Sequence, residues 1–309
     1  MSISLKDKVA IVTGAGGGLG RQHALALAAR GAKVVVNDFG GARDGTGGSD
    51  TAAQIVVNEI IAAGGQAMAN AASVNDAAAV KEMVDATMAK WGRVDILVNN
   101  AGILRDKSFT KMELDDFRLV MEVHLMGAVI CCKAVWDIMR AQNFGRIVMT
   151  TSSSGLYGNF GQSNYSAAKM ALVGLMQTLS IEGAKNNIRV NCLAPTAATR
   201  MTEGLLSDTM LAALKPEAVT PAVVFMASDD APNRKIICAG AGSFETANIT
   251  LTQGVFVGTH ANAADDLLAS FIEVCDRDDE IVPQSGSEQG MFELRNVKNA
   301  LNNAPSNAQ

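Results

Sequence analysis

The order of apolar runs along the chain is the feature that most constrains its fold. Six short apolar runs of strand length alternate with longer stretches whose apolar residues recur at helical spacing; the runs are residues 8–12, 33–37, 66–70, 95–98, 145–150 and 188–193. Strands and helices in alternation are typical of a parallel sheet covered by helices on both faces. The sequence therefore predicts a doubly wound α/β fold, whose ligands bind beyond the carboxyl ends of the strands.

This pattern ends near residue 230, which predicts two parts of the 309-residue chain. We expect residues 1–230 to form the domain that carries the site, and residues 231–309 to form a C-terminal extension packed on that domain or on a partner subunit. Helical spacing returns at residues 261–274, whereas the Asn- and Ala-rich residues 296–309 are expected to be flexible.

Composition excludes several classes of protein. The net charge is −5 without a cluster of Lys or Arg, which argues against a nucleic-acid partner. We identify no apolar run of the about 18 residues that a membrane span needs, and no signal-peptide core at the N-terminus. The five cysteines form no C-x-x-C pair, so we predict neither a metal site nor a disulfide framework and expect a reducing, cytoplasmic location.

A glycine-rich turn follows the first predicted strand. It reads TGAGGGLG over residues 13–20 and leads into a predicted helix. Glycines let the backbone approach a pyrophosphate, and the helix that follows directs its free N–H groups and positive dipole end at it. The turn predicts a dinucleotide site that includes Thr13, Gly14, Gly18, Leu19 and Gly20.

The carboxylate of Asp38 ends the second predicted strand. A carboxylate at this place accepts hydrogen bonds from ribose hydroxyls and repels a 2′-phosphate, which favours NAD over NADP. Arg43 follows closely in sequence, and a nearby Arg can accommodate the phosphate. NADP therefore stays the alternative.

A Tyr–Lys pair in a later predicted helix could exchange a proton. Tyr165 and Lys169 are four residues apart, so they share a helix face. A neighbouring Lys⁺ stabilises a tyrosinate and lowers the pKa of a Tyr from about 10 toward neutrality. Taken alone, such a pair is more often a solvated helix face, and its meaning depends on the other motifs.

The glycine turn, the NNAG run at residues 99–102, Ser152 and the Tyr–Lys pair occur in an order and spacing that resemble the short-chain dehydrogenase/reductase family over residues 1–230. The resemblance implies a Rossmann-like fold and NAD-dependent exchange between a secondary alcohol and a ketone. It implies that Tyr165 is the catalytic acid/base, that Ser152 binds the substrate oxygen, and that Lys169 holds the nicotinamide ribose and tunes Tyr165. Residues expected to line the cofactor are then Asn100, Ala101 and Gly102.

Three further stretches resemble one branch of this family, the (3R)-hydroxyacyl-CoA dehydrogenase domains of peroxisomal multifunctional enzymes of type 2. They are VNDFGG at residues 36–41, NAGILRD at 100–106 and YGNFGQ at 157–162. We expect a stand-alone bacterial relative that converts a (3R)-3-hydroxyacyl-CoA to a 3-oxoacyl-CoA. The alternatives are a hydroxysteroid (17β-type) or steroid-side-chain CoA dehydrogenase with the same chemistry, and a catalytically silent NAD-binding module.

His124 departs from the usual pattern of the family. Most members have Asn at this position, where it anchors a water that relays protons to the Lys. His124 is expected either to take that catalytic role or to be a hydrogen-bonded histidine inside a helix.

The remaining cofactor contacts follow from the resemblance with two substitutions. Ser73 replaces an Asp that often contacts adenine, which leaves Val74 as a backbone or apolar contact. Thr196 replaces the usual Gly after the sixth strand, in a segment expected to contact the nicotinamide amide: Pro195, Thr196, Ala197 and Thr199.

The last expectations concern the substrate and the assembly. Residues 201–214 place Met and Leu on one helical stripe, which in this family lies over the substrate. Charged residues make up 18% of the chain, below the about 25% of an average soluble protein, which indicates surface covered by subunit contacts. The family pairs helices such as 114–140 and 165–184 across a two-fold axis, so we expect a homodimer, with a tetramer as the alternative.

Overall fold

The structure, a computed structural model, describes residues 2–47, 51–197 and 213–303. The chain divides into two compact units, Met1–Ala247 and Asn248–Gln309. The first unit therefore extends beyond residue 230, where the sequence pattern places the boundary.

The first unit is built on an eight-stranded sheet of order β3-β2-β1-β4-β5-β6-β7-β8. All neighbouring strands are parallel except the last pair, which is antiparallel. This confirms the predicted doubly wound α/β fold. The strands are β1 Val9–Thr13, β2 Lys33–Asn37, β3 Gln66–Asn70, β4 Ile96–Asn99, β5 Gly145–Thr150, β6 Ile188–Thr196, β7 Ile236–Gly240 and β8 Ser243–Ala247.

Helices cover both faces of this sheet and bury two separate apolar clusters. Adjacent strand residues point to opposite faces, so Val12 belongs to one cluster and Ile11 to the other. The first cluster lies under α1 (Gly18–Ala29), α2 (Thr51–Ala62) and α8 (Thr220–Met226). The second lies under α3 (Ala77–Trp91), α5 (Gly127–Gln142) and α7 (Ser163–Gly183). A short helix, α6 (Ser153–Tyr157), lies between β5 and α7 in sequence.

The sequence predicts one long helix over residues 114–140 and leaves a break within it open, and the structure has such a break. Helix α4 (Leu114–Met121) passes into a π-helical turn, Glu122–Met126, before α5 begins. Such turns are often found at functional sites. The turn carries His124, which is buried.

The stretch Leu114–Gln142 is long and apolar enough, by length and composition, to cross a membrane, since it contains an 18-residue window with a mean hydropathy of 1.6. In this fold its α5 part packs on the sheet through the buried side chains of Cys131, Val135 and Met139. A core helix of an α/β domain passes the same test of length and apolarity.

The sheet explains why the first unit continues to Ala247. Strand β7 pairs in parallel with β6, and β8 turns back along β7. The second unit contains α9 (Ala263–Ala269), α10 (Phe271–Val274) and α11 (Gly286–Asn303). Helix α11 extends into residues 296–303, which the sequence assigns to a flexible tail.

Candidate active site

The glycine turn joins β1 to α1 with two residues in the left-handed region. Gly14 has φ 61° and Gly18 has φ 51°. A Cβ on Gly20 would lie 2.1 Å from the carbonyl oxygen of Gly14, so the helix can approach the turn only with glycine there. No described side chain caps α1 at Gly17, which leaves its first N–H groups available to an anion.

The turn is fastened to the end of β4 by two side chains. Thr13 Oγ1 accepts the backbone N–H groups of Asn100 at 3.0 Å and Ala101 at 3.1 Å. Asn100 Nδ2 donates to the carbonyls of Thr13 and Gly14, both at 3.0 Å. Thr13 and Asn100 therefore hold the two carboxyl strand ends together beneath the site.

Asp38 lies at the end of β2 beside the glycine turn. One carboxylate oxygen accepts the N–H of Gly16 at 2.7 Å, and the other accepts the N–H of Gly40 at 2.7 Å. These bonds fix the carboxylate, and each oxygen keeps a lone pair for a further donor.

One cavity of about 320 Å³ runs from Asp38 to Tyr165 and Lys169. It brings together thirteen residues that the sequence predicts for the site: Gly14, Gly18, Leu19, Asp38, Ser73, Val74, Asn100, Ala101, Gly102, His124, Tyr165, Lys169 and Pro195. Thr196 is exposed at the end of β6 and Ala197 is buried, and neither lines this cavity. Thr199 and residues 201–212 lie outside the described residues, so only the last two positions of the predicted substrate segment are described.

Tyr165 and Lys169 line one end of this cavity, and Ser152, which does not line it, contacts Tyr165. Ser152 follows β5 and is hydrogen-bonded to the hydroxyl of Tyr165. Lys169 is buried, donates from Nζ to the carbonyl of Thr150 at 2.6 Å, and has its Nζ 5.5 Å from the Tyr165 ring centroid. The predicted helix face thus points into the site.

The pKa values at this end follow from burial. Burial raises the pKa of Tyr165, and its hydrogen bond with Ser152 acts in the opposite direction. Burial also lowers the pKa of Lys169 to about 7. The sequence predicts a lowered Tyr165 pKa; in this structure desolvation outweighs the stabilising groups, and the Lys169 charge is itself destabilised.

His124 is held against the loop after β4. Its Nε2 lies 3.1 Å from the backbone nitrogen of Ile103 and 2.8 Å from the carbonyl oxygen of Ile103. A Cβ on Gly102 would lie 2.2 Å from Cε1 of His124, so this packing requires glycine. Burial, followed by the charge of Lys169, lowers the pKa of His124 well below 6.5, which keeps the ring neutral.

His124 also lines a second, small cavity. Nδ1 is buried and has no hydrogen-bond partner among the described residues. The cavity has a volume of about 10 Å³, and its lining includes Asn99, His124 and Lys169. That is about the volume in which one water fits, if two to four polar groups receive it.

Several cavity residues escape the sequence analysis. Thr150 and Ile103 act through backbone groups, which no residue type signals. Leu119 and Val123 line the cavity from α4 and the π-turn, and their i,i+4 spacing is the only sequence signal that marks them. Among the described residues, no group of three His, Cys, Asp or Glu side chains could hold a metal ion.

Comparison with known proteins confirms the resemblance that the motifs indicate. The short chain dehydrogenase family matches residues 8–209. The peroxisomal multifunctional enzyme type 2 of Drosophila melanogaster is 52% identical over 239 residues, which are 77% of this chain and 40% of that enzyme. The solved full-length structure of that enzyme matches with a TM-score of 0.79 and 37% identity, covering 96% of this chain and 50% of that one. This chain thus spans about half or less of that relative.

Two other proteins match over most of their own length. A short-chain type dehydrogenase/reductase of Mycobacterium tuberculosis is 45% identical over 94% of this chain and 99% of that protein. A 7α-hydroxysteroid dehydrogenase, solved with NADH and 7-oxo glycochenodeoxycholic acid, matches with a TM-score of 0.69 and 30% identity, covering 78% of this chain and 95% of that one. A bacterial relative of nearly the same length is therefore known.

Proposed function

The chain belongs to the short-chain dehydrogenase family, and on this premise we propose that it is an NAD-dependent oxidoreductase that interconverts a secondary alcohol and a ketone. The observation that carries the proposal is a cavity lined by Asp38, Tyr165 and Lys169, with Ser152 hydrogen-bonded to Tyr165. The substrate that we propose is a (3R)-3-hydroxyacyl-CoA, oxidised at C3 to the 3-oxoacyl-CoA. Similarity to the Drosophila multifunctional enzyme supports this substrate class.

The described residues fit a bound dinucleotide. Gly14, Gly17 and Gly18 present backbone without side chains to the cavity, and the free N–H groups of α1 suit a pyrophosphate. The fixed carboxylate of Asp38 suits ribose hydroxyls and opposes a 2′-phosphate, which supports NAD over NADP. When bound, the nicotinamide supplies the hydride acceptor or donor.

The proton chemistry falls to the residues of the chain. The hydroxyls of Ser152 and Tyr165, which are hydrogen-bonded to each other, would together hold the substrate oxygen. Tyr165 exchanges the hydroxyl proton. Its raised pKa keeps the phenol protonated, so it can donate a proton to the oxygen of a ketone when that ketone is reduced. In the reverse direction, the tyrosinate accepts the proton of the alcohol. Lys169, anchored on the Thr150 carbonyl, favours the tyrosinate when it is protonated.

We further propose that His124 takes part in proton relay. Its neutral ring offers a free Nδ1 to the small cavity that Lys169 also lines. A water there would connect Lys169 to the ring, in the role that the family resemblance assigns to Asn. The alternative role of His124 is packing alone, through its contact with Ile103.

A hydroxysteroid is the second candidate substrate, and similarity to the 7α-hydroxysteroid dehydrogenase favours it. A silent NAD-binding module is disfavoured, because the chain keeps a hydrogen-bonded Ser–Tyr pair that binding alone does not need. NAD⁺ reduction should be measured with (3R)- and (3S)-hydroxyacyl-CoAs of several chain lengths and with hydroxysteroids. We expect turnover of the (3R)-hydroxyacyl-CoAs. Turnover of hydroxysteroids alone would favour the second candidate substrate. If no secondary alcohol is turned over, the proposed enzyme is excluded in favour of a silent NAD-binding module.

We also propose that the protein is cytoplasmic and that it forms a homo-oligomer. The five cysteines are free thiols, which supports a reducing cytoplasm. We propose a homodimer in which α5 and α7 meet their own copies, with a tetramer as the alternative.

A further inference from the structure

The loop after β4 touches both ends of the cavity, and we name residues 103–107 the bridging loop. Toward the Asp38 end, the N–H of Leu104 donates to the carbonyl of Arg43 at 3.0 Å. Arg105 Nε donates to the carbonyl of Asp44 at 3.0 Å. Two hydrogen bonds therefore join the bridging loop to the segment that follows Asp38.

Toward the other end, the bridging loop is bonded to the start of the catalytic helix α7. Asn164, which directly precedes Tyr165 and is fully buried, donates from Nδ2 to the carbonyl of Arg105 at 3.0 Å. The N–H of Lys107 donates to the carbonyl of Gly161 at 2.9 Å. Gln162 Nε2 donates to Asp106 Oδ2 at 2.7 Å.

Two ion pairs to a single carboxylate hold the bridging loop on α4. Arg105 and Lys107 both contact the carboxylate of Asp116, at 2.7 Å and 2.9 Å. Their hydrogen bonds, first that of Lys107 and then that of Arg105, lower the pKa of Asp116, so it stays ionised at neutral pH. Charge-assisted bonds of this kind hold geometry more tightly than neutral ones.

Arg105 is the residue through which these bonds pass. Its side chain holds the segment at the Asp38 end and the Asp116 carboxylate, while its own carbonyl receives Asn164 next to Tyr165. One residue therefore links Asp44 to the start of α7. Chains of hydrogen bonds between rigid elements are a physical route for coupling two sites.

We propose that Arg105 is a positioning residue that couples occupancy of the adenosine end of the cavity to the placement of Tyr165. The proposal rests on the proposed function in that it takes the Asp38 end as the place of the adenosine half. Its consequence is that the cofactor orders the catalytic helix from a distance, in addition to any direct contact with Tyr165. Asn164 completes the coupling on the catalytic side.

AMP is the probe that separates this coupling from direct contact, because it carries the adenosine half without the nicotinamide. Amide hydrogen exchange should be measured by mass spectrometry with and without saturating AMP. We expect AMP to slow exchange over residues 163–169 in the wild-type protein and to have no such effect in Arg105→Met. AMP that binds without slowing exchange there in the wild type overturns the coupling, whereas AMP that does not bind overturns the cofactor site of the proposed function.

Kinetics give a second, independent readout with matched controls. At saturating NAD⁺, Asn164→Ala and Arg105→Met should each lower kcat by about 10-fold to 10²-fold, the scale that a small misplacement of a catalytic group produces. Asn233→Ala is the control for Asn164, because Asn233 likewise donates to a carbonyl, that of Ser180, and accepts a backbone N–H, that of Val190. Arg118→Met is the control for Arg105, because Arg118 also pairs with an aspartate of α4, Asp115, but does so on the exposed surface.

The double variant Arg105→Met/Asn164→Ala decides whether the two residues act together. We expect its loss in kcat to be clearly smaller than the product of the two single losses, because either change already breaks the shared chain of bonds. Losses that multiply, or control variants that lower kcat as much as the test variants do, overturn the proposal.

Discussion

The rings of His124 and Tyr165 meet edge to face, with centroids 5.2 Å apart and planes at 88°. This is a favoured geometry for two aromatic rings. Because the His124 ring stays neutral, the cation closest to the phenol that this site can supply is Lys169, 5.5 Å from the ring centroid. Tyr165 therefore packs against a neutral ring, and the lysine that we propose to favour its tyrosinate is a separate residue.

Replacing Tyr165 with Phe should separate proton transfer from cofactor binding. We expect kcat to fall by about 10²-fold to 10⁴-fold, the range of a lost acid–base group, with the Kd for NAD⁺ within a few-fold of wild type. The control is Tyr157→Phe, since Tyr157 is the only other tyrosine and is largely exposed. A Tyr165→Phe enzyme that keeps a tenth or more of the wild-type kcat contradicts the assignment.

NAD⁺ should be preferred to NADP⁺ because the fixed Asp38 carboxylate opposes a 2′-phosphate. The kcat/KM ratio for the two cofactors measures this preference. Asp38→Asn removes the negative charge with little change in side-chain size. It should therefore lower the ratio of kcat/KM with NAD⁺ to kcat/KM with NADP⁺. If the wild-type enzyme prefers NADP⁺, Arg43 or its loop outweighs Asp38.

Substitutions at His124 distinguish proton relay from packing. His124→Asn should retain activity if it can anchor the same water, whereas His124→Ala should lower kcat by about 10²-fold or more. His23→Ala is the control, because His23 is another fully buried histidine with an unbonded ring nitrogen among the described residues. It should lower the Tm without changing kcat. Small and equal effects of both His124 variants indicate packing.

The buried Lys169 should make stability depend on pH. Its pKa is about 7 in the folded protein and 10.5 ordinarily, so between these values the unfolded chain binds more protons than the folded one. The penalty for burying the ammonium is thus fully present below pH 7 and is relieved as the pH rises toward 10.5.

Lys169→Met removes this penalty. We expect the variant to exceed the wild type in urea midpoint at about pH 6.5, and the difference to shrink by about pH 9.5. Lys133→Met, on the exposed side of α5, should give a difference that does not change with pH. A pH-independent difference for Lys169→Met means that burial of its charge does not limit stability.

Light scattering at micromolar concentration tests the assembly, and we expect twice the mass of one chain. The apolar residues of α7 give only partial support, because two of them, Leu172 and Met176, are buried in the core of the domain. Apolar side chains that remain exposed near the proposed interface are Met126, Met170 and Ile181. The mass of a single chain contradicts the dimer, and four times that mass identifies the tetramer.

The sequence by itself determined the features that repeat locally. Alternating apolar runs indicated six strands of the sheet, because strand and helix periods are set by the backbone and visible in any short window. The glycine turn and the Tyr165–Lys169 pair were equally visible, since each lies within one turn or one helix face. These features alone predict that the site lies at the carboxyl ends of the strands.

Tertiary structure decided what depends on groups far apart in sequence or on the backbone. The carbonyl of Thr150 that anchors Lys169, the Ile103 backbone that holds His124, and the Arg105 carbonyl that receives Asn164 have no residue type to reveal them. The direction of the Tyr165 pKa also reversed, because desolvation depends on the packing of the whole site and the sequence pattern shows only the neighbouring lysine. Strands β7 and β8 joined the sheet for the same reason: their partners are β6 and each other, and only pairing in space makes them part of the first unit.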